Sequence, residues 1–113
     1  MKKRVLLVDD DSVVVRMVSR TLGQEFEVES YRHGDRALEA IRHHAFDAVV
    51  SDMDIGSMMG TDFYREAVKI RPELATRFVF HTGSSDPPKT HVPLIAKSTN
   101  ATALRDKVRS LVS

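Results

Sequence analysis

Five side chains that could support phosphoryl transfer follow short apolar runs of the chain: the acids Asp9, Asp10 and Asp52, the hydroxyl of Thr82 and the amine of Lys97. Three carboxylates in one small cleft repel one another, and a divalent cation offsets that repulsion. Carboxylate ligands without cysteine or paired histidines favour Mg²⁺ over zinc. Phosphoryl transfer needs an acceptor oxygen, a metal ion, a cation and a hydrogen-bond donor. The sequence therefore predicts a Mg²⁺-dependent site in which the carboxylate of Asp52 supplies the acceptor oxygen.

The placement of these side chains depends on five predicted strands, several of which are apolar at every residue. We predict strands over residues 5–8, 26–31, 48–51, 78–81 and 94–96. A strand that is apolar at every residue has both faces buried, which is typical of a parallel sheet covered by helices. The alternation of strands and helices predicts an α/β fold with a doubly wound, five-stranded parallel sheet. Ligands bind such sheets beyond the carboxyl ends of the strands, where the polar side chains lie.

Four predicted helices separate or follow the strands, each with one apolar stripe. The first helix follows Ser12 as N-cap and ends at Gly23, and Asp11 is expected to cap or precede it rather than bind metal. The third helix runs from residue 61 to residue 70, with Pro72 closing it. The stripes of the second and last helices are Ala37, Leu38 and Ile41, and Ala101, Leu104, Val108 and Leu111, and the last helix has Ser98 or Thr99 as its predicted cap.

Length, net charge and cysteine content exclude several classes of protein. The chain has 113 residues, a formal net charge of +1 and no cysteine. This is the length of one domain, so we expect residues 1–113 to form a single unit. The small net charge, without a basic block, argues against direct binding of nucleic acid, and no apolar run approaches the roughly 18 residues of a membrane span. The absence of cysteine favours the cytoplasm over a secreted location.

In their order along the chain, these residues resemble the receiver domain of two-component response regulators. The resemblance covers essentially the whole chain and rests on residues 6–11, residues 46–52 with Gly60 eight positions later, residues 79–83, and Lys97. It implies a flavodoxin-like fold with Asp52 as the phosphoacceptor. It also implies a Mg²⁺ site with Asp10 and Asp52 as direct ligands, Asp9 acting through water, and the backbone carbonyl of Asp54 as a further ligand.

The resemblance also implies a signalling role. Thr82 would be the switch hydroxyl that moves toward the phosphoryl group, and Lys97 would pair with the same group. The donor would be a histidine kinase or a histidine phosphotransfer protein, and a downstream effector protein would read the changed contacts. We expect a receiver without an output domain that is not an enzyme, beyond Mg²⁺-dependent self-phosphorylation and slow self-dephosphorylation.

Four features depart from the family pattern, and one of them is Gly56, which stands where proline is common. Residues 82–97, with three prolines before residue 94, are too few for the helix that typical receivers carry before their fifth strand, so we expect a loop with that helix reduced or missing. The usual receiver dimer interface, which includes that helix, is therefore doubtful. Leu94 stands at the family's aromatic switch position and is predicted to be core. Ser98 replaces the usual proline after Lys97, so we expect a trans peptide bond there.

Two alternative functions stay open on the sequence. A degenerate receiver would keep the fold but act as a phosphorylation-independent protein-binding module, which the changes at Leu94 and Ser98 favour. Residues 51–54 also resemble the Asp-x-Asp motif of haloacid-dehalogenase-like phosphatases. Those enzymes place that motif after the first strand and need a longer chain, whereas here Asp9 and Asp10 come first.

Overall fold

Five short segments of the chain form the strands of one sheet. The structure is a computed structural model that describes residues 2–84, 86–87 and 89–113. The strands are β1 (Arg4–Val8), β2 (Glu27–Tyr31), β3 (Ala48–Ser51), β4 (Phe78–Thr82) and β5 (Leu94–Ala96). They pair in the order β2-β1-β3-β4-β5, and every pair is parallel. The predicted doubly wound, five-stranded parallel sheet is confirmed.

Four α-helices are present in the described residues: α1 (Ser12–Leu22), α2 (Gly34–His43), α3 (Gly60–Ile70) and α4 (Ala101–Val112). A 3₁₀ helix over Pro72–Thr76, which was not predicted, follows α3. Pro72 is favoured at the start of this helix, because an N–H at that position would have no partner within the helix. None of the described helices is long and apolar enough to cross a membrane.

The core has two layers because side chains alternate between the two faces of each strand. Leu6 and Phe80 belong to the layer covered by α2 and α3. Leu7 and Val79 belong to the layer covered by α1 and α4. β3 is buried at every residue, and β1 is buried at every residue after its first. Burial on both faces explains why these strands appear in the sequence as uninterrupted apolar runs.

The caps of two helices differ from those predicted. Asp11, and not Ser12, is the N-cap of α1, and its side chain accepts hydrogen bonds from the amides two and three residues later. Asn100 caps α4 with the same geometry. The predicted caps Ser98 and Thr99 lie instead in the turn after β5, where the Thr99 amide donates to the carbonyl of the last β5 residue. The expectation that Asp11 caps or precedes α1 is confirmed.

The connection from β4 to β5 contains no helix among its described residues, as predicted. Ser85 and Pro88, which the predicted loop includes, lie outside the described residues. Val92 in this connection is 3% exposed and belongs to the layer covered by α2 and α3. The prediction that Leu94 is core is wrong, because Leu94 is 36% exposed. It lies on β5, an edge strand that no described helix covers on this face.

The observed α1 cap predicts different effects for two neighbouring substitutions. Asp11→Ala should lower the free energy of unfolding by about 1 kcal/mol, because two amides of the first turn lose their acceptor. Ser12→Ala should change it by less than about 0.5 kcal/mol, because Ser12 is already helical. Urea unfolding followed by circular dichroism measures both values. A larger loss for Ser12→Ala would show that the cap is misassigned.

Candidate functional site

The strand order brings the predicted site residues to one edge of the sheet. β1 and β3 are neighbours, so Asp9 and Asp52, which directly follow them, lie side by side. Both continue the sheet: the Asp52 N–H donates to the last residue of β1 at 2.9 Å, and the Asp9 N–H donates to the last residue of β2 at 3.1 Å. Thr82 ends β4 and Lys97 directly follows β5, so these four of the five predicted residues meet at the carboxyl ends of the strands.

Asp9, Asp10 and Asp52 form an acidic cluster. Each offers a carboxylate oxygen, and these oxygens lie within 4.8 Å of one another. Asp9 is 1% exposed and Asp52 8% exposed, whereas Asp10 is exposed to solvent. Three oxygen donors at this spacing fit a hard divalent cation, which would relieve the repulsion between the carboxylates. The acidic cluster can therefore hold a metal ion.

Lys97 pairs with two members of the acidic cluster. Its Nζ lies 2.9 Å from Oδ2 of Asp9 and 3.0 Å from Oδ2 of Asp52. Burial by itself would lower the pKa of the Lys97 ammonium, but the hydrogen bonds to the two carboxylates outweigh burial and raise it. Burial raises the pKa of Asp9, against the opposing hydrogen bond from Lys97. The peptide bond between Lys97 and Ser98 is trans, as expected.

Thr82 ends β4, the neighbour of β3, which Asp52 follows. The residue is 4% exposed, and its Oγ1 accepts a hydrogen bond from the Ser84 N–H at 3.1 Å. The Lys97 N–H donates to the Thr82 carbonyl at 2.7 Å, which ties the two strand ends together. An open cleft of about 400 Å³ lies between these groups, and its lining includes Asp52, Asp54, Met59, Thr82, Ser84 and Lys97. The predicted acceptor, hydroxyl and amine therefore face one cavity.

The loop from Asp52 to α3 packs closely beneath the site. The Asp54 N–H lies 3.5 Å from Oδ1 of Asp52, and the Asp54 carboxylate accepts from the Gly56 N–H at 3.0 Å. Gly56 has a φ of 75°, in the left-handed region that favours glycine. A Cβ at Gly60 would lie 2.3 Å from the Asp52 carbonyl oxygen, so glycine is required where α3 begins. Metal ligation by the Asp54 backbone carbonyl stays a prediction.

Two residues beside the site were not predicted to contribute to it. Arg32 directly follows β2 and donates from its guanidinium to the backbone carbonyl of Asp10. His81 precedes Thr82 in β4, is 3% exposed, and its Nδ1 has no hydrogen-bond partner within the described part of the chain. Arg32 belongs to no motif, and its position directly after a predicted strand was the only sequence signal for it. His81 lies within residues 79–83, which carry the family resemblance, but no role at the site was predicted for it.

His81 is held neutral by its surroundings. Burial and, to a smaller extent, the Lys97 ammonium lower its pKa from 6.5 to about 4, against the opposing effect of the Asp52 carboxylate. A proton on this ring would add a second cation beside Lys97 without a hydrogen-bonded counter-ion. The folded protein therefore binds this proton more weakly than the unfolded chain does.

The protein is a doubly wound α/β domain that carries an acidic cluster, a lysine and a threonine at one edge of its sheet. The family model described as "Response regulator receiver domain" matches residues 5–108 of the chain. The chain belongs to the response regulator receiver domain family, which confirms the resemblance found in the sequence.

The chain is also similar to individual proteins of known sequence or structure. The chain is 34% identical over 70 residues to the protein-glutamate methylesterase/protein-glutamine glutaminase of Bacillus subtilis (strain 168), a match that covers 59% of this chain and 20% of that protein. The chain thus spans about a fifth of the length of this relative. The CheY-like receiver domain protein of Methanospirillum hungatei JF-1 is 24% identical, with a TM-score of 0.87 over 99% of this chain and 94% of that one. The receiver domain of the hybrid histidine kinase CckA is 21% identical, with a TM-score of 0.84 over 97% and 99%.

The lowered pKa of His81 predicts a specific pH dependence of stability. Above the unfolded value of 6.5 both states are neutral, and as the pH falls toward 4 the unfolded state alone gains a proton, so stability is lost in that window. His81→Leu should remove this loss, so its stability relative to wild type should rise by about 2 kcal/mol between pH 7.5 and pH 4.5.

Urea unfolding of both proteins at the two pH values measures this difference. Comparison with wild type cancels the titration of the carboxylates that both proteins share. His44→Gln, which removes an exposed histidine after α2, is the control and should follow wild type. A constant stability difference between His81→Leu and wild type across the window would contradict the assignment.

Proposed function

We propose that this chain is a phosphoacceptor receiver. A histidine kinase or a histidine phosphotransfer protein would transfer a phosphoryl group to Asp52 with Mg²⁺ bound at the acidic cluster. The observation that supports this most is the contact of Lys97 with both Asp9 and Asp52, at 2.9 and 3.0 Å. It keeps a cation beside the acceptor carboxylate in a cleft that is open to an incoming phosphoryl group. Membership of the receiver family supports the same role.

Asp52 supplies the nucleophile in this proposal. A carboxylate oxygen of Asp52 bonds to phosphorus while the bond from phosphorus to the donor's imidazole nitrogen breaks, and that electron pair leaves with the imidazole. Asp9, Asp10 and the Asp52 carboxylate would hold Mg²⁺, with the Asp54 backbone carbonyl as a further ligand. When bound, the metal ion neutralises negative charge on the carboxylates and on the phosphoryl oxygens.

Lys97 and Thr82 would respond to the new charge. The Lys97 ammonium already lies 3.0 Å from the acceptor carboxylate and can pair with a phosphoryl oxygen there. The Thr82 oxygen accepts from the Ser84 amide, which leaves its hydroxyl proton to donate toward the phosphoryl group. Both contacts would draw the ends of β4 and β5 toward Asp52, and a downstream effector protein would bind the changed surface.

Three further parts of the proposal follow from this role. The chain would not be an enzyme that acts on a separate substrate, since its chemistry ends in modification of its own Asp52. It would work in the cytoplasm, because histidine kinases use ATP and ATP is available there. It would not use the usual receiver dimer, because the described residues between β4 and β5 lack the helix that helps to form that surface.

The proposal predicts that phosphoryl incorporation depends on Asp52. Intact-mass spectrometry after incubation with acetyl phosphate should show one Mg²⁺-dependent phosphoryl adduct on the wild-type chain and none on Asp52→Asn. Asp35→Asn, which changes an exposed acid in the first turn of α2, is the matched control and should keep the adduct. Circular dichroism should show the same fold for all three proteins.

Other outcomes separate the alternatives. An adduct that persists on Asp52→Asn would show that Asp52 is not the acceptor. A wild-type chain that forms no adduct and releases no phosphate would favour the phosphorylation-independent binding module, which the exposed aliphatic Leu94 at the aromatic switch position also favours. Release of phosphate without an adduct would favour the phosphatase interpretation.

Removal of Lys97 should separate metal binding from phosphoryl transfer. Lys97→Ala should bind Mg²⁺ at least as tightly as wild type, because a cation that competes for Asp9 and Asp52 is gone. It should form the adduct at least about tenfold more slowly, because the charge that develops on the phosphoryl group loses its partner. Calorimetry and the time course of the adduct measure the two effects, with Lys3→Ala, an exposed lysine near the start of the chain, as control. Adduct formation at the wild-type rate would contradict the role of Lys97.

A further inference from the structure

The guanidinium of Arg32 holds the backbone next to the acidic cluster. Its Nε lies 3.3 Å and its Nη2 3.2 Å from the carbonyl oxygen of Asp10, so two donors converge on one acceptor. Arg32 directly follows β2, whereas Asp10 lies in the turn between β1 and α1. The contact therefore joins two segments that are 22 residues apart in the sequence.

Each residue of the turn after β1 has its own anchor. The Asp9 N–H donates to the last residue of β2 at 3.1 Å, and the Asp11 N–H donates to Oδ1 of Asp9 at 2.9 Å. The carboxylate of Asp11 caps α1. Asp10 lies between them, and its carbonyl accepts hydrogen bonds from Arg32. The backbone of Asp10 is thus fixed from the side of β2.

The side chain of Asp10 depends on this backbone contact. Unlike Asp9 and Asp52, whose carboxylates Lys97 binds, Asp10 is exposed, and within the described residues its carboxylate has no hydrogen bond or ion pair. Its carboxylate nevertheless lies within 4.8 Å of the other two in the acidic cluster. An exposed aspartate on a loose turn has several rotamers and backbone positions to choose from, and fixing the backbone removes much of that freedom.

We propose that Arg32 is a positioning residue for the metal site: its two hydrogen bonds to the Asp10 carbonyl hold the Asp10 carboxylate in the acidic cluster, ready to ligate a divalent cation. The inference rests on the proposed Mg²⁺ site and adds to it a residue that does not touch the metal. Partners that orient a ligand from outside the coordination sphere commonly contribute about 10- to 100-fold to metal affinity. Because Arg32 is exposed, we expect the lower end of that range.

Because Arg32 is positively charged, the direction in which its removal changes the Mg²⁺ affinity tests the proposal. A guanidinium close to a cation site repels the cation, so a purely electrostatic role predicts tighter Mg²⁺ binding when Arg32 is removed. A positioning role predicts weaker binding. A residue that only stabilises the fold would leave the affinity of the folded protein unchanged.

The experiment is a calorimetric Mg²⁺ titration of the full chain in four forms. Arg32→Ala should bind Mg²⁺ about tenfold more weakly than wild type. Arg32→Lys, which keeps a donor that can reach the carbonyl, should recover part of that loss. Arg36→Ala removes the same charge from the exposed first turn of α2 and should bind like wild type or slightly tighter. In metal-free protein, ¹⁵N relaxation should show added mobility at Asp10 in Arg32→Ala alone among the three variants.

The outcomes distinguish the two proposals. If wild type shows no Mg²⁺ binding at millimolar concentrations, the proposed metal site fails and the role of Arg32 fails with it. If wild type binds Mg²⁺ and Arg32→Ala binds equally or more tightly, the positioning role alone is overturned. An equal loss in Arg36→Ala would overturn it as well, because the effect would then not depend on the contact with the Asp10 carbonyl. Should Arg32→Ala not fold, wild-type affinity in Arg32→Gln, which lacks the paired donors, would overturn the proposal.

Discussion

The contact of Lys97 with Asp9 and Asp52 is the interaction on which the rest of the site depends. Both carboxylates are nearly buried, and charges removed from water are tolerated only when they are paired and hydrogen-bonded. The pairing requires that Lys97 stand at the end of β5, a strand of only three residues. The Lys97 N–H also donates to the Thr82 carbonyl at 2.7 Å, so the backbone and the side chain of Lys97 fix the same strand end. The edge strand and the site therefore stabilise each other.

The contact with Lys97 does not balance the charge of the acidic cluster. Three carboxylates face one ammonium, which leaves a net of two negative charges when all four groups are ionised. Burial raises the pKa of Asp9, and the neighbouring Asp52 carboxylate raises it further, which is one sign of this imbalance. A divalent cation matches the missing charge, and the exposed Asp10 gives it a route of entry. His81 does not supply the missing charge, because burial and the Lys97 ammonium keep its ring neutral.

Much of the fold and of the site could be predicted because both follow local rules. Apolar runs identify the buried strands, and a doubly wound sheet brings the carboxyl ends of its strands together, so Asp52 and Lys97 were expected to meet although they are 45 residues apart. Finer features depend on geometry that the sequence does not encode locally. Asp11 and Ser12 are both good capping residues, and only the extended backbone at Asp11 decides between them. Leu94 is apolar, and its exposure follows from the edge position of β5.

The described connection between β4 and β5 shows how this domain covers the sheet without a helix there. Val92 packs into the layer shared with Phe80, and the His91 Nε2 lies 3.3 Å from the hydroxyl of Tyr64 on α3. The Tyr64 ring in turn meets Phe78 edge-on, with 4.9 Å between ring centroids, and Phe80 at 6.4 Å. Aromatic packing thus replaces helix packing over this part of the core. A displacement of Thr82 would consequently reach α3 through the described part of this connection and the aromatic cluster, because the described residues offer no intervening helix to move as a rigid body.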